Sequence, residues 1–352
     1  MKRADERLAR RGGVVELLRV PAWLFGGVSK ARGALYDRGW LPSARLEAPV
    51  VSVGNLSAGG TGKTPAVIDL AQRLERVGRR PGLLSRGYKA DGESNDEAEL
   101  LARRLPQVPH VADRDRVRGG WKLLDSGVDV VILDDGFQHR RLSRDLDIVL
   151  VDCLRPWGLA AVDGDPVRAL LPRGLLREAP AALERADLIV LTRSDRVDAE
   201  TRERLCAELF RFAPSVPVAM AAHRPTSLAT PDGERLAPTA LAGRDVDLAS
   251  GIGNPEGFEA SITSLGANVV THRRFPDHHH FVSGDLDGLG ADGRPVVVTE
   301  KDAVKLVGER VHVLEIEFAY TSGEPVLDAK LESLRHARHT ERLHALHEGL
   351  HG

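Results

Sequence analysis

The sequence predicts an α/β fold: a parallel sheet covered by helices, followed by a second, smaller α/β domain. Continuous apolar runs rich in Val, Ile and Leu recur along the first half, and the segments between them are long enough for crossover helices. This alternation is typical of a parallel sheet that is buried on both faces. A stretch rich in Pro, Thr, Ala and Gly near 221–239 precedes a second set of such runs. The chain has 352 residues, 42% of them hydrophobic, which is enough for one large domain and a smaller one.

The elements are predicted in order from these runs. A first strand near 48–54 leads into glycines, and an apolar pattern of helical spacing follows from 65 to 77. The other predicted strands of the first half are 81–85, 128–133, 148–151 and 188–192, and those of the second half are 246–250, 269–271, 295–299 and 311–316. We therefore divide the chain into an N-terminal segment 1–45, a first domain 46–222, a linker 223–240, a smaller α/β domain 241–327 and a helical tail 328–352.

The tail carries five histidines whose loose spacing favours a solvated helix face over a metal site. They are His336, His339, His344, His347 and His351.

Charge and cysteine content exclude several classes of protein. The formal net charge is -2, so the chain carries no overall positive charge for a polyanion, and we expect no nucleic-acid partner. The two cysteines, Cys153 and Cys206, lack metal-ligand spacing, which predicts a reducing compartment without a disulfide framework. The cytoplasm fits best. No apolar run approaches the roughly 20 residues that a membrane-spanning helix needs.

The N-terminal segment differs from the rest in charge. Residues 1–45 contain ten Lys or Arg and four Asp or Glu, a local excess of six positive charges. Within them, the apolar run 20–28 contains Trp23, Leu24 and Phe25 and is bounded by basic residues. Such a segment can lie in the headgroup layer of a membrane. A packing helix at a domain edge explains the same pattern equally well, so both interpretations stand.

A glycine-rich loop lies between the first predicted strand and its helix. In Gly59-Gly60-Thr61-Gly62-Lys63-Thr64, backbone N–H groups and a helix N-terminus surround an anion, Lys63 reaches the outer phosphates and Thr64 offers a hydroxyl to Mg²⁺. This is a P-loop, and it predicts ATP binding. The motif is shifted, because Ser57 occupies the position of its usual first glycine. The first domain is thus predicted to be a P-loop nucleotide-binding domain.

Two adjacent aspartates follow the apolar run 128–133. Asp134 and Asp135 stand where ligands bind in open α/β sheets, at the carboxyl end of a strand, and could coordinate Mg²⁺. The alternative is a solvated Asp-Gly turn. An upstream P-loop in the same chain favours the metal site.

Phosphoryl transfer to an alcohol also needs a base near the acceptor oxygen. The candidates are Asn95-Asp96-Glu97 and the segment from Phe275 to Phe281, which contains three consecutive histidines. The residues alone leave this open, because the acids could cap a helix and the histidines could form a surface loop or ligate zinc.

A series of motifs runs in a fixed order from about Leu35 to Glu317. They are Val53 to Pro65, Ser85-Arg86-Gly87-Tyr88, Asp134 to His139, Leu170-Leu171-Pro172, Leu176-Arg177-Glu178, Gly251-Ile252-Gly253-Asn254-Pro255, Phe275-Pro276-Asp277-His278-His279 and Thr299 to Lys305. Together they resemble the tetraacyldisaccharide 4'-kinase family, which phosphorylates the 4'-hydroxyl of a membrane-bound disaccharide lipid in lipid A synthesis. The resemblance implies that 46–222 is a P-loop kinase domain.

The resemblance implies a P-loop domain and a smaller C-terminal α/β domain, with the nucleotide between them. It implies that Asp96 and His278 form the dyad that activates the sugar hydroxyl. Arg177 and Glu178 match a pair near the active site, and Arg177 would stabilise phosphoryl charge. Lys63, Thr64, Asp134 and Asp135 carry over to nucleotide and Mg²⁺ binding.

The resemblance also implies a place in the cell. The substrate would be a glycolipid, tetraacyl disaccharide 1-phosphate. The N-terminal segment would associate with the cytoplasmic face of the inner membrane, which would make the protein peripheral or monotopic. We infer no obligate protein partner. Three segments depart from the family pattern. Asn95-Asp96-Glu97-Ala98 replaces Gly-Asp-Glu-Pro, Pro172-Arg173-Gly174-Leu175-Leu176-Arg177-Glu178 replaces Pro-Ala-Gly-Pro-Leu-Arg-Glu, and the stretch from Asp163 to Ala169 is longer or altered. These departures bear on recognition of the acceptor more than on nucleotide binding.

Two other functions fit parts of the pattern. A P-loop ATPase switch that acts through a partner would need the glycine-rich loop and Asp134, but no base in the second domain. A kinase or ligase for a soluble metabolite would not need a membrane-associating segment.

Overall fold

The computed structural model describes residues 7–9, 12–87, 96–160, 166–306 and 308–334. The chain forms two compact units. The larger unit takes its described residues from Lys2–Tyr88, Gln107–Ala222 and Ala319–Gly352, and the smaller unit from Lys89–Pro106 and His223–Phe318. Each unit is described by itself below.

The larger unit is built on a parallel sheet. Its strand order is β7-β6-β5-β1-β4-β2-β3, and every pairing in that order is parallel. The strands are β1 Val50–Asn55, β2 Pro81–Ser85, β3 His110–Ala112, β4 Val130–Asp134, β5 Leu146–Asp152 and β6 Leu188–Thr192, and the first residues of β7 Val218–Ala229 complete the sheet. The strands β1, β5 and β6 are buried along their whole length, as expected for inner strands of a sheet that is covered on both faces.

One helix precedes these strands and others connect them. They are α1 Arg19–Asp37, α2 Lys63–Arg76, α4 Arg116–Asp125 and α5 Ala199–Phe212, with 3-10 helices at Gly13–Leu18, Pro180–Arg185 and Ser194–Arg196. Helix α2 buries the face that carries Val67, Leu70, Ala71 and Leu74, whose spacing is that of an amphipathic helix. A further helical segment covers residues 324–334. The histidines predicted to line the tail lie outside the described residues.

The smaller unit has its own parallel strands. Their order is β10-β9-β11-β12, with parallel pairing throughout. These strands are β9 Asp245–Ser250, β10 Asn268–Arg274, β11 Val296–Thr299 and β12 His312–Ser322, and the short β8 Arg235–Leu236 pairs antiparallel with the end of β7. The helices are α3 Asp96–Arg104, α6 Pro255–Ser264 and α7 Glu300–Ala303. Strands β7 and β12 have residues in both units.

The predicted fold class, a helix-covered parallel sheet with a second α/β unit, is confirmed. Two details differ from the sequence-based description. Helix α3 belongs to the smaller unit although the chain on both sides of Lys89–Pro106 belongs to the larger one. The expected linker 223–240 contains most of β7, all of β8 and a 3-10 helix at Pro238–Leu241. Pro and Thr are compatible with extended backbone at a strand end, so composition alone cannot distinguish it from a linker. The exact domain boundaries stay a prediction.

The N-terminal segment forms a helix with two different faces. Ala22 is buried, and a Cβ at Gly26 would lie 2.6 Å from the side chain of Leu170, so this face packs closely on the rest of the larger unit. Across the described part of the chain, no helix has both the length and the apolar character to cross a membrane.

Candidate functional site

The glycine-rich loop follows the buried strand β1 and ends at Gly62, the N-cap of α2. Gly62 has a φ of 88°, a left-handed conformation that glycine adopts without strain, and no side chain caps the helix here. The first N–H groups of α2 are therefore available to an anion. A Cβ at Gly59 or Gly60 would meet nothing within 4 Å, so space remains above the loop.

Neighbouring strands hold this loop by its backbone. The N–H of Ala58 donates to the carbonyl of Leu175 at 2.7 Å. At the end of β6, the hydroxyl of Thr192 donates to the carbonyl of Thr61, and the guanidinium of Arg193 donates to the carbonyl of Gly60, both at 2.9 Å. Sequence analysis did not identify Thr192 or Arg193. Their position at the carboxyl end of a parallel strand was the available signal.

Lys63 extends from the start of α2 towards two other strand ends. Its Nζ lies 3.3 Å from Oδ1 of Asn55, the last residue of β1, and 3.6 Å from Oδ1 of Asp135, which follows β4. Asn55 is fully buried and also donates to the carbonyl of Ser57 at 2.7 Å. The lysine is thus held beside the loop by groups at the ends of two other strands.

Asp135 contacts two cationic side chains beside the glycine-rich loop, Arg177 and Lys63. Arg177 donates from one nitrogen to both of its carboxylate oxygens, at 2.9 and 2.7 Å. Burial would raise the pKa of Asp135, but the charges of Lys63 and Arg177 lower it, so the carboxylate is ionised at neutral pH. Its φ of 52° is left-handed, a conformation that Asp tolerates better than most residues.

The predicted Mg²⁺ ligands offer suitable chemistry. Thr64 would supply a hydroxyl and Asp134 and Asp135 would supply carboxylates, which are the hard oxygen donors that Mg²⁺ prefers. The Oδ1 atom of Asp134 is buried, and Asp135 is kept ionised by its neighbours. These residues fit the ion.

Glu178 has a different partner from its neighbour Arg177. Its carboxylate pairs with Arg185 at 3.0 Å, and the Arg185 guanidinium stacks over the ring of Phe137 at 4.6 Å. Phe137 is fully buried and approaches β1 so closely that a Cβ on Gly54 would lie 2.6 Å from its own Cβ. Glu178 therefore anchors the segment that presents Arg177, and it does not contact Asp135 directly.

In the smaller unit, Asp96 and His278 lie together as predicted from the resemblance. Nδ1 of His278 is 3.1 Å from Oδ1 of Asp96 and 3.2 Å from Oδ2. Asp96 is the first residue of α3 and only 2% exposed, whereas the side chain of His278 is 57% exposed. The buried acid can therefore orient the ring while the rest of the imidazole stays accessible.

The backbone of His278 is fixed independently of this contact. Its φ is 60°, and its N–H donates to the carbonyl of Gly251 and to Oδ1 of Asp277, both at 3.1 Å. Gly251 in turn donates to Oδ1 of the fully buried Asp302 at 3.1 Å. The motif 251–255 and the start of α7 thus hold the loop that carries His278.

The two groups of the dyad change each other's ionisation. Burial would raise the pKa of Asp96, but the hydrogen bond with His278 and the charges of Lys301 and Lys305 lower it to about 2. The hydrogen bond with Asp96 raises the pKa of His278 above its ordinary value, although burial and Lys301 act in the opposite direction. The carboxylate is thus a stable acceptor for the ring N–H.

Sequence analysis assigned no role to two lysines near the dyad, Lys301 in α7 and Lys305 just after it. Nζ of Lys305 lies 3.4 Å from Oδ2 of Asp96 and 3.3 Å from Oδ1 of Asp302. Nζ of Lys301 lies 3.8 Å from Oδ2 of Asp96, 3.4 Å from Oδ1 of Asp277 and 3.5 Å from Nε2 of His278. Their four-residue spacing in the motif 299–305 was the signal, because residues so spaced share a helix face.

The three consecutive histidines have separate surroundings. His279 pairs with Asp285 at 2.8 Å and stacks on Phe275 with ring centroids 4.4 Å apart, and His280 is exposed. Within the described ranges, no group of three or more His, Cys, Asp or Glu side chains is arranged to hold a metal ion. The zinc alternative for these histidines therefore has no support from the described geometry.

Comparison with known proteins places these motifs in a family. Residues 14–335 match the family described as LpxK, tetraacyldisaccharide-1-P 4'-kinase. A tetraacyldisaccharide 4'-kinase from Anaeromyxobacter dehalogenans (strain 2CP-C) is 44% identical over 340 residues, which cover 87% of each chain. One from Geobacter sulfurreducens is 36% identical over 342 residues, 90% of this chain and 91% of the relative.

A solved structure agrees over nearly the whole chain. The crystal structure of an "apo" form of LpxK from Aquifex aeolicus, described as a complex with ATP, has 33% sequence identity and a TM-score of 0.74, and the match covers 92% of this chain and 99% of that one. With the motif order, the family match and these relatives in agreement, the chain belongs to the tetraacyldisaccharide 4'-kinase family.

Proposed function

We propose that this chain transfers the γ-phosphoryl group of ATP to the 4'-hydroxyl of a tetraacyl disaccharide 1-phosphate at a membrane surface, with Asp96 and His278 as the groups that take up the hydroxyl proton. Membership of the family makes the chain an ATP-dependent kinase of lipid A biosynthesis. The contact between Nδ1 of His278 and Asp96, at 3.1 Å, is the observation that carries the proposed roles.

His278 acts as the base in this mechanism. Its Nδ1–H donates to the ionised Asp96, which leaves an unshared electron pair on Nε2. That nitrogen accepts the proton of the sugar hydroxyl while the oxygen attacks the γ-phosphorus, and the bond from this phosphorus to the β,γ-bridging oxygen breaks to release ADP. Asp96 then stabilises the positive charge that develops on the ring.

The residues of the larger unit bind and stabilise the phosphates. The N–H groups of the loop 59–64 and Nζ of Lys63 neutralise phosphate oxygens, and Arg177 offsets the charge on the moving phosphoryl group. Thr64, Asp134 and Asp135 would hold Mg²⁺. When bound, this ion supplies additional positive charge to the phosphate oxygens.

The N-terminal helix provides the contact with the membrane in this proposal. Val20, Trp23, Leu24 and Val28 are all more than half exposed, and their spacing puts them on one side of α1, roughly opposite to Ala22 and Gly26. Arg19, Lys30 and Arg32 near this stripe are exposed and can attract anionic lipid headgroups. We infer peripheral or monotopic association with the cytoplasmic face of the inner membrane.

The direct test supplies the purified protein with labelled ATP, Mg²⁺ and tetraacyl disaccharide 1-phosphate and then measures label in the lipid. A labelled lipid with wild type and none with Lys63→Met supports the proposed reaction. ATP consumption without a labelled lipid would favour the alternative of an ATPase switch. Transfer that is equally fast to a soluble, deacylated disaccharide would favour a kinase that does not require a membrane-bound acceptor.

A further inference from the structure

The ammonium of Lys301 lies beside both His278 and Asp96, with Nζ 3.8 Å from Oδ2 of Asp96. Nδ1 of the ring is in contact with the Asp96 carboxylate at 3.1 Å, and Nζ of Lys301 is 3.5 Å from the other ring nitrogen, Nε2. The imidazole therefore has a carboxylate, which only accepts hydrogen bonds, at Nδ1, and an ammonium, which only donates them, close to Nε2.

Only one form of the ring satisfies both neighbours. The neutral tautomer with hydrogen on Nδ1 donates to Asp96 and presents an unshared pair on Nε2 to the ammonium. The other neutral tautomer directs an unshared pair at the carboxylate and an N–H at the ammonium, so it opposes both. The doubly protonated ring satisfies Asp96 but directs an N–H at Lys301. Asp96 accepts an N–H from both the first and the third form and favours the charged one, whereas the nearby ammonium of Lys301 disfavours a proton on Nε2.

We propose that Lys301 is a positioning residue of the transfer reaction, one that keeps Nε2 of His278 unprotonated and thereby keeps the ring in its proton-accepting form. The inference rests on the proposed role of His278 as the base. It assigns Lys301 no contact with the reacting atoms.

The surroundings of Lys301 allow it to give way to the acceptor. Its Nζ is also 3.4 Å from Oδ1 of Asp277, 3.7 Å from Oε1 of Glu97 and 3.8 Å from Oδ2 of Asp96. The ammonium can withdraw from Nε2 when the sugar hydroxyl arrives and remain paired with these carboxylates. A cation without such partners would move into water when the hydroxyl arrives, and its return to the ring would cost the free energy of removing that water again.

The backbone supports this position. Lys301 is in α7, which is capped by Thr299: the hydroxyl of Thr299 accepts from the N–H of Asp302 at 3.2 Å. Among the described residues, the charged groups that face the His278 ring or its partners are Asp96 and Glu97 of α3, Asp277 of its own loop, and Lys301, Asp302 and Lys305 of the 299–305 motif. Among them, the charge of Lys301 lowers the pKa of His278, whereas Asp96 and Asp277 raise it.

The test measures the ring itself as well as the reaction. In ¹⁵N-labelled full-length wild type, with the His278 signals identified by their loss in His278→Gln, we expect an unprotonated Nε2 and a protonated Nδ1 above the midpoint of titration. In Lys301→Met, which keeps the chain length and removes the charge, the midpoint should move to higher pH. Lys301→Arg should titrate close to wild type. Lys301→Gln is a second neutral variant if Lys301→Met does not fold.

Arg310→Met is the matched control. It removes one positive charge from the same unit, but the Arg310 side chain is 78% exposed and pairs with Asp232. It should leave the His278 titration unchanged. A wild-type ring protonated on Nε2, or a Lys301→Met midpoint equal to or below the wild-type value, would overturn the proposal.

Kinetics complete the experiment. The acidic limb of the pH profile of kcat/KM should move to higher pH in Lys301→Met, with a loss of activity at pH 6 that is partly recovered at pH 8. If His278→Ala retained full turnover, the assignment of the base would fail. The ring titration would still decide whether Lys301 controls the protonation of Nε2, so the two failures are distinguishable.

Discussion

Arg177 binds both carboxylate oxygens of Asp135, at 2.9 and 2.7 Å, while Lys63 approaches the same carboxylate at 3.6 Å. Two cations beside the glycine-rich loop therefore share one acid. A bound polyphosphate would be a competing anion for both of them.

We expect Arg177→Ala to reduce kcat about 100-fold or more, because it removes a cation that stabilises charge in the transition state. Arg177→Lys should recover only part of the loss, since an ammonium cannot reproduce the planar guanidinium. Steady-state kinetics with varied ATP would check this. A change confined to the KM for ATP, with kcat intact, would assign Arg177 to ground-state binding instead.

Replacing His278 by Ala should reduce lipid phosphorylation by about 10²- to 10⁴-fold, the usual contribution of a general base. ATP binding should persist, because the glycine-rich loop and Lys63 belong to the other unit. Turnover with the lipid acceptor and equilibrium binding of an ATP analogue would be measured in parallel. Undiminished turnover would remove His278 from the mechanism.

The pH profile should also depend on Asp96. The hydrogen bond with Asp96 raises the pKa of His278, and the base form is lost as the pH falls through that value. Asp96→Asn removes the negative charge, so the pKa of His278 should fall and the acidic limb of kcat/KM should move to lower pH. The plateau should also drop, because an amide no longer fixes the ring tautomer. An unchanged limb would show that another group titrates there.

The apolar stripe of α1 predicts membrane binding. Trp23 is 78% exposed and Leu24 57%, and burial of such side chains is worth about 1.5 to 3 kcal/mol each. Trp23→Ser with Leu24→Ser should weaken sedimentation with anionic liposomes by roughly tenfold or more. Phe210→Ser, which removes an apolar side chain 64% exposed on α5, is the matched control and should bind like wild type. If wild type, the double variant and Phe210→Ser bound liposomes equally, the stripe on α1 would not be the membrane-binding surface.

Two glycines should respond oppositely to Ala. A Cβ at Gly54 would lie 2.6 Å from Cβ and 2.9 Å from the backbone nitrogen of Phe137, so Gly54→Ala should destabilise the larger unit by about 1 to 3 kcal/mol. Gly27 lies in the interior of α1, where a Cβ would meet nothing within 4 Å, so Gly27→Ala should be neutral or stabilise by up to about 1 kcal/mol. Thermal unfolding of both variants would decide, and a stable Gly54→Ala protein would contradict the close approach.

The sequence was informative where a local pattern determines structure. Strands β2 and β6 lie where their apolar runs predicted, because a strand buried on both faces needs such a run. The glycine-rich loop was recognisable because its residue types follow from backbone geometry and phosphate chemistry.

Other features depend on contacts distant in sequence. Nothing local indicates that α3 belongs with residues 223–318, or that Thr192 and Arg193 hold the loop at Thr61 and Gly60. The pairing of Asp96 with His278 was implied by family resemblance and not by either residue's own surroundings in the chain. The position of Lys301 beside Nε2 required coordinates.

The separation of Asp96 from His278 by 182 positions has a consequence for synthesis. A ribosome that has just completed α3 has not yet translated the codons for β9, the 275–278 loop or α7. Until they emerge, the carboxylate of Asp96 remains hydrated and without its imidazole partner. Contacts between such distant positions form slowly, because a long loop must close first. The glycine-rich loop and the residues that hold it, up to Arg193, are therefore all translated before His278 exists, and under the proposed mechanism lipid phosphorylation must await the later segments.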